Sequence, residues 1–335
     1  EYSLVDSVLR ITSEGEGNPG LMDTAARMRM PAIALTDQCN LFAMVKFYRA
    51  AQAAGVKPIV GVDLLVREPG ERVEPTKLVL LCQNDTGYKN LTRLVTSAYL
   101  HGQVKGVATI DRDWLNPEST AGLIALSRAR RDRARRECRG DERRRGSLSG
   151  AREGDVGRSI VAARHDDARA QLTQWLELFG DRYYLELQRT GRPGEDAYLR
   201  GAVDLAVDLG VPVVATNDVR FIRREDFDAH EVRVCIHEGV VLDDAKRPRR
   251  YSEQQYLRSP QEMAELFKDI PEAIQNSVEI ARRCNLSLTL GKSVLPAYPV
   301  PSGMTTEDFL REEAARGLAL RLEQLRALED QEIRP

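Results

Sequence analysis

The residues of this sequence whose types and spacing could do chemistry are acids and amides set at the ends of apolar runs. Residues 32–36 stop at Asp37 and Gln38, the run VGVDLLV carries Asp63, and VPVVAT is followed by Asn217, Asp218, Val219 and Arg220. Oxygen donors converging on one pocket would hold a divalent cation, and hard oxygen ligands alone favour magnesium or manganese over zinc. Taken singly, each of these residues has a plainer role as a turn former that caps the next helix. Three carboxylates at strand ends carry more weight together, because barrels and open α/β sheets bind ligands at the carboxyl ends of their strands.

The elements that must position them follow from the hydrophobic pattern. Short apolar runs at 32–36, 58–66, 77–82, 122–127, 183–187 and 211–216 read as strands. Segments 41–54, 88–100, 167–179, 196–209 and 224–236 place apolar residues three and four apart and read as helices. Strands that are almost wholly apolar are buried on both faces, as in a parallel sheet or a helix-wrapped barrel, so the pattern predicts an α/β fold of the (β/α) barrel type. After residue 265 it predicts a helical pair, a proline-containing connector, and a last helix capped at Thr305-Thr306-Glu307-Asp308.

Composition narrows the function classes. With 335 residues and 42% hydrophobic side chains, the chain can bury one large core or a core with an appendage. No long apolar stretch reads as a membrane span and no leader as a signal peptide, so a cytoplasmic protein is expected. The five cysteines, Cys39, Cys82, Cys138, Cys235 and Cys284, form no CxxC pair, which argues against a disulfide framework or a zinc ribbon. Of the four histidines, His101 and His165 fall in polar segments and His237 near a helix end. His230 is the one near a candidate site, read as a helix histidine packing beneath the loop rather than a remaining ligand. The net charge of −2 gives no general pull toward nucleic acid. The start at Glu1, without methionine, suggests a piece of a longer protein.

One segment departs from that balance. Residues 128–149 hold ten arginines against four acids, a net of +6. Arg128, Arg130, Arg131, Arg143, Arg144 and Arg145 are candidate phosphate contacts, but with no aromatic residue to stack on bases any binding should be nonspecific. A solvated surface loop is the more economical reading. Residues 10–20, rich in glycine and acids, suggest a flexible loop before the first helix.

The run TDQCNLFAMVKFYRAAQAAGVKPIVGVD, the motif TNDVRFI and the block DAHEVRVCIHEGVVLDDAKRPRRYSEQQYLRS resemble the amino-terminal region of the bacterial replicative DNA polymerase III alpha subunits. EYSLVDS, DRDWL, RTGRP and IPEAIQNSVEIARRCN extend the resemblance over nearly the whole chain. It implies a polymerase-and-histidinol-phosphatase (PHP) domain, a distorted (β/α)7 barrel, over 1–265. Residues 266–335 would then be a helical segment leading into the polymerase module. The family's Ser-x-x-Asp appears as Ser3 to Asp6, and the His-x-His strand that precedes it in active members is absent from this sequence.

The same resemblance implies a degenerate metal site. Active members carry histidine where Gln38 and Arg220 stand, and glutamate in place of Asp63, while Asp6, Asp63 and Asp218 keep carboxylates at ligand positions. An amide is a weak metal ligand and a guanidinium is none, so no cofactor is expected in this chain. The implied role is the amino-terminal part of a DNA-directed DNA polymerase, a nucleotidyltransferase acting in chromosomal replication. Its catalytic aspartates and their Mg2+ lie outside this chain, and its barrel is a scaffold for the proofreading exonuclease (epsilon) subunit. DNA and other replisome subunits would be met through the full-length protein. The alternative is a metal-dependent phosphoesterase or pyrophosphatase, with Asp6, Asp63 and Asp218 holding Mn2+ or Zn2+.

Overall fold

The structure, a computed structural model, describes residues 8–13, 19–68, 75–104, 106–127, 154–244, 247, 249–292 and 298–332. Asp6 and the arginine-rich segment 128–149 lie outside the described residues, as do residues 14–18 of the acidic, glycine-rich stretch 10–20.

The strands are β1 (Ala32–Gln38), β2 (Lys57–Arg67), β3 (Thr76–Cys82), the short β4 (Gln103–Val104), β5 (Val107–Ala108) and β6 (Ile110–Asp111), then β7 (Leu123–Ser127), β8 (Tyr183–Gln188) and β9 (Val213–Thr216). The helices are α1 (Leu21–Arg27), α2 (Met44–Ala53), α3 (Asp85–Leu100), α4 (Asp155–Val161), α5 (His165–Phe179), α6 (Glu195–Leu209), α7 (Phe227–Glu238), α8 (Pro260–Leu266), α9 (Pro271–Arg283) and α10 (Thr306–Glu332). One mixed sheet runs in the order β1-β2-β3-β7-β8-β9, with β6 paired to β2, and it curls so that six of its strands contribute to one internal cavity. This is the expected α/β fold of PHP type followed by helices.

The expected strands and helices are present, but the sheet is not all parallel. β1 and β2 pair in parallel across α2, and β7, β8 and β9 do so across α4–α5 and α6. β3 is antiparallel to both β2 and β7. The stretch between β2 and β3 is too short for a crossover helix, and a short link joins neighbouring strands only in antiparallel order. Every residue of β3 is nonetheless buried, which is why its composition reads like that of a parallel strand. The reversal brings the first residues of β3 to the carboxyl end of β2, with Thr76 facing Val66 and Lys77 facing Leu65.

Ile59, Val79, Leu81, Ile124, Leu126, Tyr184 and Val214 share a core with Ile280 and Cys284 of the α9 region. Asn276 donates to the Val213 carbonyl at 2.8 Å, and the Asn285 backbone N–H to that of Gln83 at 2.7 Å. These contacts carry the compact unit to Ser287, beyond the change at 265 expected from the sequence. Residues 288–335 form a second unit containing α10, where the Thr305 hydroxyl accepts the Asp308 backbone N–H at 3.2 Å.

On α5, Trp175 packs against Tyr183 with ring centroids 5.9 Å apart and nearly parallel planes, and the Arg112 guanidinium lies 3.2 Å from the indole centroid. The indole N–H donates to both oxygens of Asp155, at 3.0 and 2.9 Å. Gly87 and Gly122 meet backbone to backbone: a Cβ on Gly87 would stand 1.9 Å from the Gly122 carbonyl oxygen. Cys39, Cys82, Cys235 and Cys284 are all buried and free. Burial pushes the Cys39 and Cys82 thiols up to about 12 and that of Cys284 to about 11. Among the described residues no helix is long and apolar enough to cross a membrane.

Candidate functional site

The strand ends converge on a cavity of about 280 Å³, with aliphatic walls that include Leu35, Val79 and Leu126. Asp37, Gln38, Asp63, Asp218 and Arg220, singled out from the sequence, all line it. His230 does not. It is fully buried on α7, 5.5 Å from the Phe221 ring and edge-on to Tyr251 at 4.6 Å.

Sheet register places Gln38 directly across from Asp63. On the other side of β2, Asp63 faces Val79, so Lys77, two residues earlier on β3, is its diagonal neighbour on the same face. The Lys77 ammonium donates to Asp63 Oδ2 at 2.9 Å, with both side chains at most 7% exposed.

Asp218 follows β9 with φ at 43°, in the left-handed region. Its carboxylate accepts Arg220 Nη2 at 2.8 Å on one oxygen and, on the other, Arg192 Nη1 at 3.2 Å and Gln255 Nε2 at 3.0 Å. The same Gln255 nitrogen also reaches the Asp218 carbonyl at 3.1 Å, and the Arg220 backbone N–H donates to the Gln255 carbonyl at 2.8 Å. A conformation that costs a non-glycine residue about 1–2 kcal/mol is thus held from several sides.

Arg192 also donates through Nε to Glu195 Oε1 at 2.9 Å and through Nη2 to Gln188 Oε1 at 2.8 Å. Glu195, the first residue of α6, accepts the Thr190 backbone N–H at 2.6 Å and its hydroxyl at 2.5 Å, closing the turn that carries Arg192. Beside it, Gln188 Nε2 donates to the Thr216 hydroxyl at 3.1 Å, which donates to Glu186 Oε1 at 2.7 Å.

Asp37 is handled differently. It is 3% exposed, and its Oδ2 has no hydrogen-bond partner among the described residues. Burial pushes its carboxyl up to about 6, against a partial opposing effect of the Ala43 backbone N–H.

This donor set does not fit a metal centre. The carboxylates of Asp63 and Asp218 are each engaged by fixed cations, Gln38 offers only an amide beside Asp63, and a divalent ion would have to displace ammonium and guanidinium groups that are themselves only 4–7% exposed. Among the described residues no group of three or more histidines, cysteines or acids is arranged to hold a metal ion.

Lys77, Glu186, Arg192 and Glu195 were not singled out from the sequence. A lone charge inside the apolar run of β3 is the signal that marks Lys77. Arg192 and Glu195 lie in the stretch RTGRPGE, where glycine and proline suggest only a turn.

A profile of the PHP domain family matches residues 1–190 of this chain. The chain is 45% identical over 97% of its length to "DNA polymerase III subunit alpha" of Pseudomonas aeruginosa, and 48% identical over 96% to the protein of the same name from Escherichia coli K12. To that of Vibrio cholerae it is 44% identical over its full length. The chain spans about a quarter of the length of these curated relatives.

Proposed function

Since the chain belongs to the PHP domain family, we propose that it is the amino-terminal region of a bacterial DNA polymerase III alpha subunit, with a barrel that serves as a scaffold rather than as a metallohydrolase. The observation that carries this reading is the neutralisation of Asp63 by Lys77 and of Asp218 by Arg192 and Arg220, which occupies two of the carboxylates that hydrolysis would need as ligands. The full polypeptide is a DNA-directed DNA polymerase with its Mg2+-binding aspartates outside this chain, and it meets DNA and the other replisome subunits as a whole. The barrel's own partner is the proofreading exonuclease subunit, as the family resemblance implies.

Co-elution tests this. The intact polypeptide, shown folded by circular dichroism, should elute with the exonuclease subunit in size-exclusion chromatography. Separate elution of the two folded proteins overturns the scaffold role. Stoichiometric uptake of Mn2+ or Zn2+ at the rim, together with phosphoester hydrolysis, would support the phosphoesterase alternative instead.

A further inference from the structure

We infer that Lys77, Arg192 and Arg220 are built-in counterions of the cavity rim, occupying carboxylate oxygens that a divalent cation would otherwise need and making this end of the barrel independent of metal. The inference rests on the reading above in one respect, that Asp63 and Asp218 stand at former ligand positions; the rest comes from geometry.

Burial sets the requirement. The side chains of Asp63 and Asp218 are 7% and 4% exposed, and a carboxylate so placed must find a cation or give up its charge. Lys77, Arg192 and Arg220, at 5%, 4% and 7% exposure, lie within hydrogen-bond distance of those acids.

Fixation follows from the neighbours. The planar guanidinium of Arg192 uses three separate nitrogens on Glu195, Asp218 and Gln188, so it ties the end of β8, the turn after it and the segment following β9 into one unit. Glu195 fixes the arginine in turn, because its carboxylate also accepts the backbone N–H groups of Thr190 and Arg192 and the Thr190 hydroxyl in the same turn. Lys77 has no comparable fork, but its place on a central strand, between β2 and β7, holds its stem against Asp63. A metal entering this rim would strand buried cations without partners, so exclusion comes from the protein's own charges.

The test is thermal unfolding of the intact polypeptide in chelator, in Mn2+ and in Zn2+, alongside charge-removing variants. Any change of Tm with metal or chelator should be the same in the wild type as in the paired variant Lys77→Met/Asp63→Leu, which has no Asp63 carboxylate to offer a metal. Lys77→Met and Arg192→Met should each lower it by on the order of 10 °C, because each leaves a buried acid uncompensated. The paired variant Lys77→Met/Asp63→Leu should recover most of that loss, a rescue that a merely packing role for Lys77 would not give. Should the single variant fail to fold, recovery of folding in the pair is the same positive result. A wild-type Tm that rises with either metal, or falls in chelator, by more than that of the paired variant, or a paired variant no more stable than the single one, overturns the inference. Failure of exonuclease co-elution would overturn the scaffold role and leave these counterions in place, whereas a metal response seen in the wild type and lost in the paired variant would overturn the counterions and leave co-elution to decide the scaffold role.

Discussion

The cavity rim and the Trp175 cluster both bury a carboxylate near an arginine, and they solve the problem in opposite ways. At the rim, Asp63 and Asp218 have cations within 3.2 Å or less of their oxygens. At Trp175, the arginine is used on the ring: Arg112 lies over the indole face, and its nearest approach to Asp155 is 4.0 Å. Asp155 is left with neutral donors, the indole N–H and the Val156 backbone N–H at 2.8 Å. Burial outweighs them and raises its pKa above the ordinary carboxylate value. A buried acid can therefore be held by a countercharge or by neutral donors alone, and the two solutions should respond oppositely to loss of the charge.

The sharpest way to break the comparison is to neutralise a rim acid. Asp63→Asn leaves the Lys77 ammonium buried without its counterion and should cost about 3–5 kcal/mol in urea unfolding. A loss below about 1 kcal/mol would place the rim with the Trp175 cluster after all. Trp175→Ala should cost about 3 kcal/mol or more, through lost packing against Tyr183 and Phe179 rather than lost charge, so its cost should be insensitive to salt. A cost that shrinks as salt is added would mean that charge, not packing, governs this cluster.

Asp37 sharpens the comparison because it sits at the rim and behaves like the other class. Its folded pKa of about 6 lies above the ordinary 3.8, so the stability it contributes is complete below about pH 3.8 and is lost as pH rises through about 6. Asp37→Asn should be more stable than wild type at pH 7.5, by on the order of 1 kcal/mol after discounting for solvent screening, with the gap closing by pH 4. Equal stabilities at both pH values would show that Asp37 is compensated like Asp63. The smallest effect is expected at Asp155→Asn, below about 1 kcal/mol at neutral pH and in the stabilising direction. Since the Asp155 pKa is raised, wild-type stability should fall slightly as pH climbs past the ordinary carboxylate range, and the variant should lack that slope in pH-dependent denaturation.

Much of the fold was legible because apolar runs and three-to-four spacing are local properties. The runs at 58–66 and 77–82 reappear as β2 and β3, and segment 196–209 as α6. The direction of β3 was not legible, since burial on both faces gives antiparallel and parallel strands the same composition. That one ambiguity hid Lys77. A search for polar residues at the carboxyl ends of strands finds Asp37, whereas Asp63 lies within β2, four residues before its end at Arg67, and an antiparallel strand offers its first residues to the same rim. Arg192 was missed for a related reason, because its link to Asp218 joins residues 26 positions apart and depends on how the turn after β8 is closed by Glu195. The family resemblance supplied Gln38 and Arg220 as replacements, but not Lys77 and Arg192, the cations that complete the charge balance.

The buried cysteines give this chain a built-in clock. A thiol held at about 12, as Cys39 and Cys82 are, offers almost no thiolate at neutral pH and no surface to a reagent, so modification of either must wait for the protein to open. In a Cys138→Ser background, the rate at which an aromatic disulfide reagent consumes the remaining thiols times those openings. Cys39 reports from the end of β1 beside the rim, and Cys82 from the end of β3 at the far side of the sheet.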